Sequence, residues 1–215
     1  MSSKIKGDGK ITYEYDSMGR VYKTKECDGE GDCVVSIHEF DLANRIVEER
    51  REDIKGNVLT KVSYSYDSAG NRNKVTTYVG KEELITTTTY NSRGLPIKIV
   101  DPANAETHFD YKYDFYNSFG QAVPFSQTTD SLGNITEEIK DTQGRVATVI
   151  RKNSFGDLLH KTEYYYDLNG NKIRQLDSIT NQPNKIAKKI VSESTYDCMN
   201  RVVTTTEAVG SVDQN

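Results

Sequence analysis

Three histidines, three cysteines and 32 acidic residues are the side chains of this 215-residue sequence that could do chemistry. His38, His108 and His160 lie far apart among residues of strand type, and none belongs to a ligand pair such as HExxH. His38 stands where its segment, "HEFDLANRIV", should carry an aromatic, and is expected to pack. A serine or cysteine nucleophile needs a base and an orienting acid held beside it, and no local motif supplies them. A glycosidase needs only two carboxylates flanking a groove, but most Asp residues here stand at the head of turns. The expectation is a chain that is not an enzyme and takes no cofactor.

The loop "DGEGD" offers Asp28, Glu30 and Asp32 as oxygen ligands for calcium, without the twelve-residue loop or closing Glu of an EF-hand. Cys27 and Cys33 bracket this loop and could face each other across a hairpin as a disulfide. Cys198 replaces a turn residue and is read as incidental.

The turns themselves are the dominant signal. An Asp or Asn is followed three residues later by Gly or Asn at Asp16 and Gly19, Asp41 and Asn44, Asp53 and Gly56, Asp67 and Gly70, Asn91 and Gly94, and Asn117 and Gly120. The series continues with Asp130 and Gly133, Asp141 and Gly144, Asn153 and Gly156, Asp167 and Gly170, and Asp197 and Asn200. Asp or Asn at the first position can bond backbone amides two residues on, and the fourth position suits a left-handed conformation, which Gly adopts freely and Asn tolerates. A type I turn closed by a left-handed bulge is a common short hairpin connection. From Gly120 the glycines step by 13, 11, 12 and 14 residues. Each step holds one strand and one turn, so the unit is a β-hairpin of roughly two dozen residues, a length typical of repeat architectures. The loops "CDGEGDC" and "YVGKEE" read as degenerate turns of the series.

Aromatic residues alternate before the turns, as in Tyr13 and Tyr15, Tyr64 and Tyr66, Tyr111 and Tyr113, and Tyr164 and Tyr166. Aliphatic residues follow two places after them, at Val21, Ile46, Val58, Ile135, Val146, Leu158 and Val202. Period two puts such residues on one face of a strand. One apolar face is therefore expected, with a wet face of Thr, Lys, Glu and Ser opposite, as in "LITTTTYN". No segment has a convincing helical period, and almost no helix is expected.

Composition agrees with a thin sheet. Apolar residues are 35% of the chain, Trp is absent and Tyr numbers 14, which suits half-buried strands better than a thick core. A formal charge of -4 gives no footprint for nucleic acid, and the basic cluster "KIAKK" reads as a solvated strand face. No apolar run approaches the ~20 residues of a membrane helix, and the N-terminus lacks the apolar core of a signal peptide. The expected layout is an extension over residues 1–10, a repeat sheet over 11–206, and a tail over 207–215 that stops in mid-pattern, as a piece of something longer would.

"YDSMGRV", "YDSAGNR", "YDLNGNKI" and "DTQGRVATV" together resemble the YD repeat of Rhs-type proteins, a likeness running from about Tyr13 to Val203. That family includes bacterial polymorphic toxins, shell subunits of insecticidal toxin complexes, wall-associated proteins and teneurins. The resemblance implies a curved, spiralling sheet, part of a β-shell that encloses or displays a C-terminal toxin or adhesive domain, secreted or cell-surface as part of a larger exported protein. The implied partners are flanking regions of that polypeptide or the enclosed domain. A complete shell needs several times more chain. The loop "PIKIVDPANA" resembles the self-cleavage motif that ends Rhs cores, but Asn104 and Ala105 stand where Gly and Leu are expected, and it is read as a turn. The alternative function is a stand-alone binding module for glycan or a cell-surface protein. Unpaired edge strands further predict edge-to-edge self-association.

Overall fold

The computed structural model describes residues 2–6 and 9–211 and is all-β, with no helix among those residues. The chain divides into two compact units that meet in sequence at Ala105 and Glu106. The first contains β1 (Ser2–Lys6), β2 (Gly9–Tyr15), β3 (Val21–Cys27), β4 (Cys33–Phe40), β5 (Ile46–Asp53), β6 (Val58–Tyr66), β7 (Arg72–Val79), β8 (Glu82–Tyr90) and β9 (Pro96–Val100). The second contains β10 (Glu106–Tyr116), β11 (Ala122–Thr129), β12 (Ile135–Lys140), β13 (Val146–Lys152), β14 (Leu158–Tyr166), β15 (Lys172–Gln182), β16 (Lys185–Tyr196) and β17 (Val202–Ser211). In each unit every strand pairs antiparallel with its neighbours in the chain, giving a meander of hairpins.

One turn geometry builds most of these hairpins. At Asp16 the backbone N–H donates to the Arg20 carbonyl at 2.9 Å, and the Gly19 N–H donates to the Asp16 carbonyl at 3.0 Å. The same two bonds recur at every Asp or Asn of the series above, and the fourth residue has positive φ each time. Asn44 and Asn200 adopt φ of 64° and 60°, the conformation glycine holds elsewhere. The residue before each such turn is the cross-strand partner of the residue five places after its head, as in Tyr15 with Val21, Phe40 with Ile46 and Tyr196 with Val202. Aromatic and aliphatic positions of the sequence thus meet as pairs beside the turn.

Several loops differ from expectation. "CDGEGDC" is no degenerate turn, because Asp28 N–H donates to the Asp32 carbonyl at 2.9 Å and Gly31 has φ of 95°. Asp101 to Ala105, by contrast, is the turn expected of it and has the same geometry, with Asn104 at φ of 62°. "YVGKEE" departs differently, with Gly80 and Lys81 alone between the paired Val79 and Glu82. Gly80 has φ of 63°, as the first central residue of a II′ hairpin turn requires. Pro183 and Asn184 make a second two-residue connection, between Gln182 and Lys185. Pro124, which cannot donate to a ladder, lies where the pairing of β10 and β11 skips from Lys112 to Phe115.

The strands also reach beyond the expected sheet. Residues 2–6 are a strand whose register runs from Ser2 with Tyr13 to Lys6 with Gly9, and β17 continues to Ser211. Backbone ladder bonds carry both segments, so neither needed an apolar signature. Residues 212–215 of the expected tail lie outside the described residues.

The expected division into apolar and wet faces holds only in part. In the first unit, Val35 and Ile37 share a face with Arg50, which binds Glu39 at 3.1 Å, Glu48 at 3.2 Å and Glu52 at 2.9 Å. On the opposite face the Tyr64 hydroxyl donates to Glu49 at 2.8 Å. Among the described residues the buried apolar side chains are Val35, Val123 and Phe125, and Thr76, Thr162 and Ser178 are as buried. Strands that pair edge to edge in one layer bury little, so charged side chains stand directly opposite apolar ones, as Lys23 and Arg50 flank Ile37.

Gly120 tests the turn. It has φ of 71°, and a Cβ added there would meet no atom within 4 Å. Gly120→Ala is expected to cost about 1–2 kcal/mol from the left-handed backbone alone, and Gly120→Asn clearly less. Urea midpoints of the two variants check this; equal losses would contradict it.

Candidate functional site: a turn-to-turn clasp

The side chain at the head of each turn organises its atoms. Asp16 Oδ1 accepts the N–H groups of Met18 at 2.9 Å and Arg20 at 3.0 Å, and its Oδ2 accepts Arg20 Nε at 2.7 Å. Asp41, Asp141 and Asp197 hold Arg45, Arg145 and Arg201 in the same way, at 2.7–2.8 Å from Nε. Asp53, Asp67, Asp130 and Asp167 accept from an Asn amide at the same position. Where Asn heads the turn the polarity reverses: Asn153 donates to Asp157 and Asn117 to Gln121, both at 3.1 Å.

The fifth residue, once fixed, reaches the next turn on the same side of the sheet. Arg20 lies 4.4 Å over the Phe40 ring and donates to Asn44 Oδ1 at 3.0 Å. Arg45 over Tyr66 and Arg145 over Tyr166 repeat the stacking at 4.4 Å. Asn171 donates to Asn200 Oδ1 at 2.8 Å. The later turn answers with its tyrosine. Tyr66 donates to the Ile46 carbonyl at 2.6 Å, Tyr90 to that of Arg72 at 2.9 Å, Tyr166 to that of Val146 at 2.7 Å and Tyr196 to that of Lys172 at 2.9 Å. A stacked guanidinium contributes roughly 0.5–1 kcal/mol at an exposed site, and the hydroxyl bond about 1 kcal/mol net. The clasp fastens successive hairpins side chain to side chain where their facing strands are already paired by the backbone ladder.

The turn signal in the sequence marks the first and fourth residues but not the fifth, which carries the clasp. Its cue was present: in the series above Arg or Asn follows Asp, and Gln and Asp follow Asn117 and Asn153, with Leu95 after Asn91 as the exception. Nor did conformation alone show why Asn44 and Asn200 replace glycine, since each also accepts a bond from the preceding turn.

The other candidate residues are placed as follows. Cys27 and Cys33 are cross-strand partners joined by a disulfide, and Cys198 is a free, exposed thiol. Asp28 Oδ1 is occupied by the N–H groups of Glu30 at 3.0 Å and Asp32 at 2.9 Å. Among the described residues no three His, Cys, Asp or Glu side chains converge to hold a metal, so the turn geometry does not gather Asp28, Glu30 and Asp32 as ligands. His38 is the cross-strand partner of Glu49. His108 meets Glu106 at 3.1 Å.

His160 meets Asp177 at 3.1 Å in a polar group with Thr162 and Gln175. Thr162 donates its hydroxyl to Asp177 at 2.6 Å, and lies 3.5 Å from the same imidazole nitrogen that faces Asp177. The carboxylate therefore takes the hydroxyl proton bond, and the imidazole does not bridge hydroxyl and acid as a triad base must. Burial works to raise the Asp177 pKa, but the Thr162 and Gln175 donors and nearby His160 outweigh it and hold it low.

No family model matches the chain, and no curated protein matches it. Solved structures do. One is a TcdB2-TccC3 protein without its hypervariable C-terminal region, at 15% identity and a TM-score of 0.47 over 92% of this chain. Another is the Photorhabdus luminescens Tc holotoxin pore with a mutated TccC3, at 12% identity and a TM-score of 0.30 over 93% of this chain. The chain spans 12% and 16% of the lengths of those chains.

The turn carboxylates couple the fold to pH. The N–H and side chain of Arg45 hold Asp41 below the ordinary 3.8, and the amide and N–H of Asn71 do the same for Asp67. A carboxyl lowered in the folded state stabilises above its unfolded value and ceases to do so as pH falls through the folded one. The urea midpoint should hold near neutrality and fall as the pH drops below the ordinary carboxyl value of about 4. Asp41→Asn with Asp67→Asn should shrink that fall, and a parent midpoint indifferent to pH across this window would contradict the coupling.

Proposed function

We propose that this chain is a non-catalytic structural segment of an Rhs-type YD-repeat protein, part of a β-wall that encloses or displays a toxin or adhesive domain of a larger exported polypeptide. The observation that carries this reading is the repeated clasp, in which Arg20 on Phe40, Arg45 on Tyr66 and Arg145 on Tyr166 have one geometry. Such a device locks successive hairpins into a stiff, extensible sheet, as a wall needs. The Asp residues that open the turns are committed to amide donors and to the fifth side chain, which favours a mechanical role over acid–base work. The sequence likeness to YD repeats and the coarse likeness to parts of Tc toxin assemblies point the same way.

A second reading has its own observation. Phe119, Phe155, Leu132, Leu168, Leu42 and Met199 stand exposed at turn tips, where apolar groups serve contact rather than folding. This favours the binding module for glycan or a cell-surface protein.

An antibody raised against this segment, used to blot the source cells, separates the two. A native band far above 24.3 kDa is the expected outcome, and a band near that mass would overturn the wall reading in favour of the stand-alone module.

A further inference from the structure

The turn headed by Asp28 lacks the side-chain bond that closes most of the others. Elsewhere the head and the fifth residue are joined, as Arg45 donates to Asp41, Asn57 to Asp53 and Asn153 to Asp157. The turns at Asn91 and Asp101 end in Leu95 and Ala105, which carry no charge. At Asp28 the fifth residue is Asp32, so two carboxylates stand where every other turn of this geometry has a bonded or an uncharged partner. Asp28 Oδ1 accepts the N–H groups of Glu30 and Asp32, but no side chain among the described residues answers the carboxylate. Glu26 and Glu30 add to the charge, and all four acidic side chains are exposed.

The fastening of this turn is covalent instead. Cys27 and Cys33 are the cross-strand pair that flanks it, and their disulfide closes a tip whose charges repel. The bond is also within reach of a reductant. Both cysteines are only half-buried, and a cavity of about 510 Å³, lined in part by Glu26, Cys27, Asp28, Asp32, Cys33 and Arg51, opens beside them.

We propose that Cys27–Cys33 is a redox latch, a site of thiol–disulfide exchange with a dithiol reductant, and that its reduction opens the Asp28 turn. One thiolate of the reductant bonds to one protein sulfur, the Cys27–Cys33 bond breaks, and the other protein sulfur leaves as a thiolate. The reductant's second thiolate then displaces the first protein sulfur and closes the reductant's own disulfide. The reductant has given up two electrons and two protons, and Cys27 and Cys33 hold them as thiols. With the loop-closing constraint gone, repulsion between Asp28 and Asp32 works against the turn. The strands beneath stay paired, since Glu26 faces Val34 in the ladder, Cys27 faces Lys10 of β2 and Val34 faces Asp53 of β5. Opening is therefore confined to residues 28–32. The turn is shut in an oxidising medium and open in a reducing one such as a cytosol. This goes beyond the wall reading and applies equally to a stand-alone module.

The test is amide hydrogen exchange on the full chain, oxidised and after treatment with dithiothreitol, with thiol titration counting Cys27 and Cys33 beside the free Cys198. The N–H groups of Asp28, Glu30 and Asp32 are bonded in the closed turn. Their exchange is expected to rise roughly thirtyfold on reduction, the lower end of what a disulfide typically contributes. The N–H groups of Asp53 and Gly56 in the next turn on that side should be unaffected. Asp32→Asn recreates the pair that Asp53 makes with Asn57, and the reduced variant should keep its turn closed. A disulfide that dithiothreitol leaves intact in the folded chain overturns the proposal, as does a reduced turn that exchanges no faster. An Asp32→Asn variant that opens as far as its parent removes the repulsion from the account and overturns it too. A rise shared by the Asp53 turn shows unfolding of the strands rather than release of a latch, and counts against it equally.

Discussion

A single oxygen atom at the head of each turn accepts two backbone N–H groups, and the rest of the fold depends on that bond pair. With Asp16 Oδ1 on Met18 and Arg20, the four intervening residues have one conformation, and the fourth is driven to positive φ. The register of the flanking strands follows, because the residue before the turn must then face the residue five places past its head. Where Asp heads the turn, its second oxygen fixes the fifth side chain and aims it along the edge of the sheet. Register, turn and clasp are consequences of one Asx side chain repeated along the chain.

This arrangement explains how a sheet with so small an apolar core holds together. Val35, Val123 and Phe125 cannot supply the burial of a globular domain. Stability is instead distributed over ladder bonds, cross-strand pairs such as Tyr15 with Val21, and clasps such as Arg145 with Tyr166. In architectures of this kind stability is approximately a sum of unit and nearest-neighbour terms. Here the neighbour term has named atoms, and it acts between turns two strands apart.

The strands and most turns were legible because Asp, Asn and Gly have local conformational reasons to sit where they do. Gly56 and Gly70 announce left-handed positions without any tertiary information. The turn at Asp28 was harder, since Gly29 beside Gly31 obscures which glycine is left-handed, whereas Asp101-Pro102 read as a turn although Asn104 stands in place of glycine. The mixing of charge with Val35 and Ile37 on one face was illegible from alternation alone, because Arg50 gathers Glu39 from one strand and Glu48 and Glu52 from its own. The clasp was hidden for the same reason: Arg20 and Phe40 are twenty residues apart, and only the fold makes them neighbours. The repeat could be read as hairpins, but not as hairpins fastened to one another.

The most direct test of this account is amide hydrogen exchange on the Tyr166→Leu variant. Tyr166 is bound to the Val146 carbonyl and lies under Arg145, so its loss should speed exchange at Asp141, Gly144 and Arg145 as well as around Asp167. The turn from Asp130 to Asn134, which Tyr166 does not clasp, should keep its protection. Faster exchange confined to the strand ends around residue 166, with the Asp141 turn unchanged, would contradict the claim that each turn holds the next.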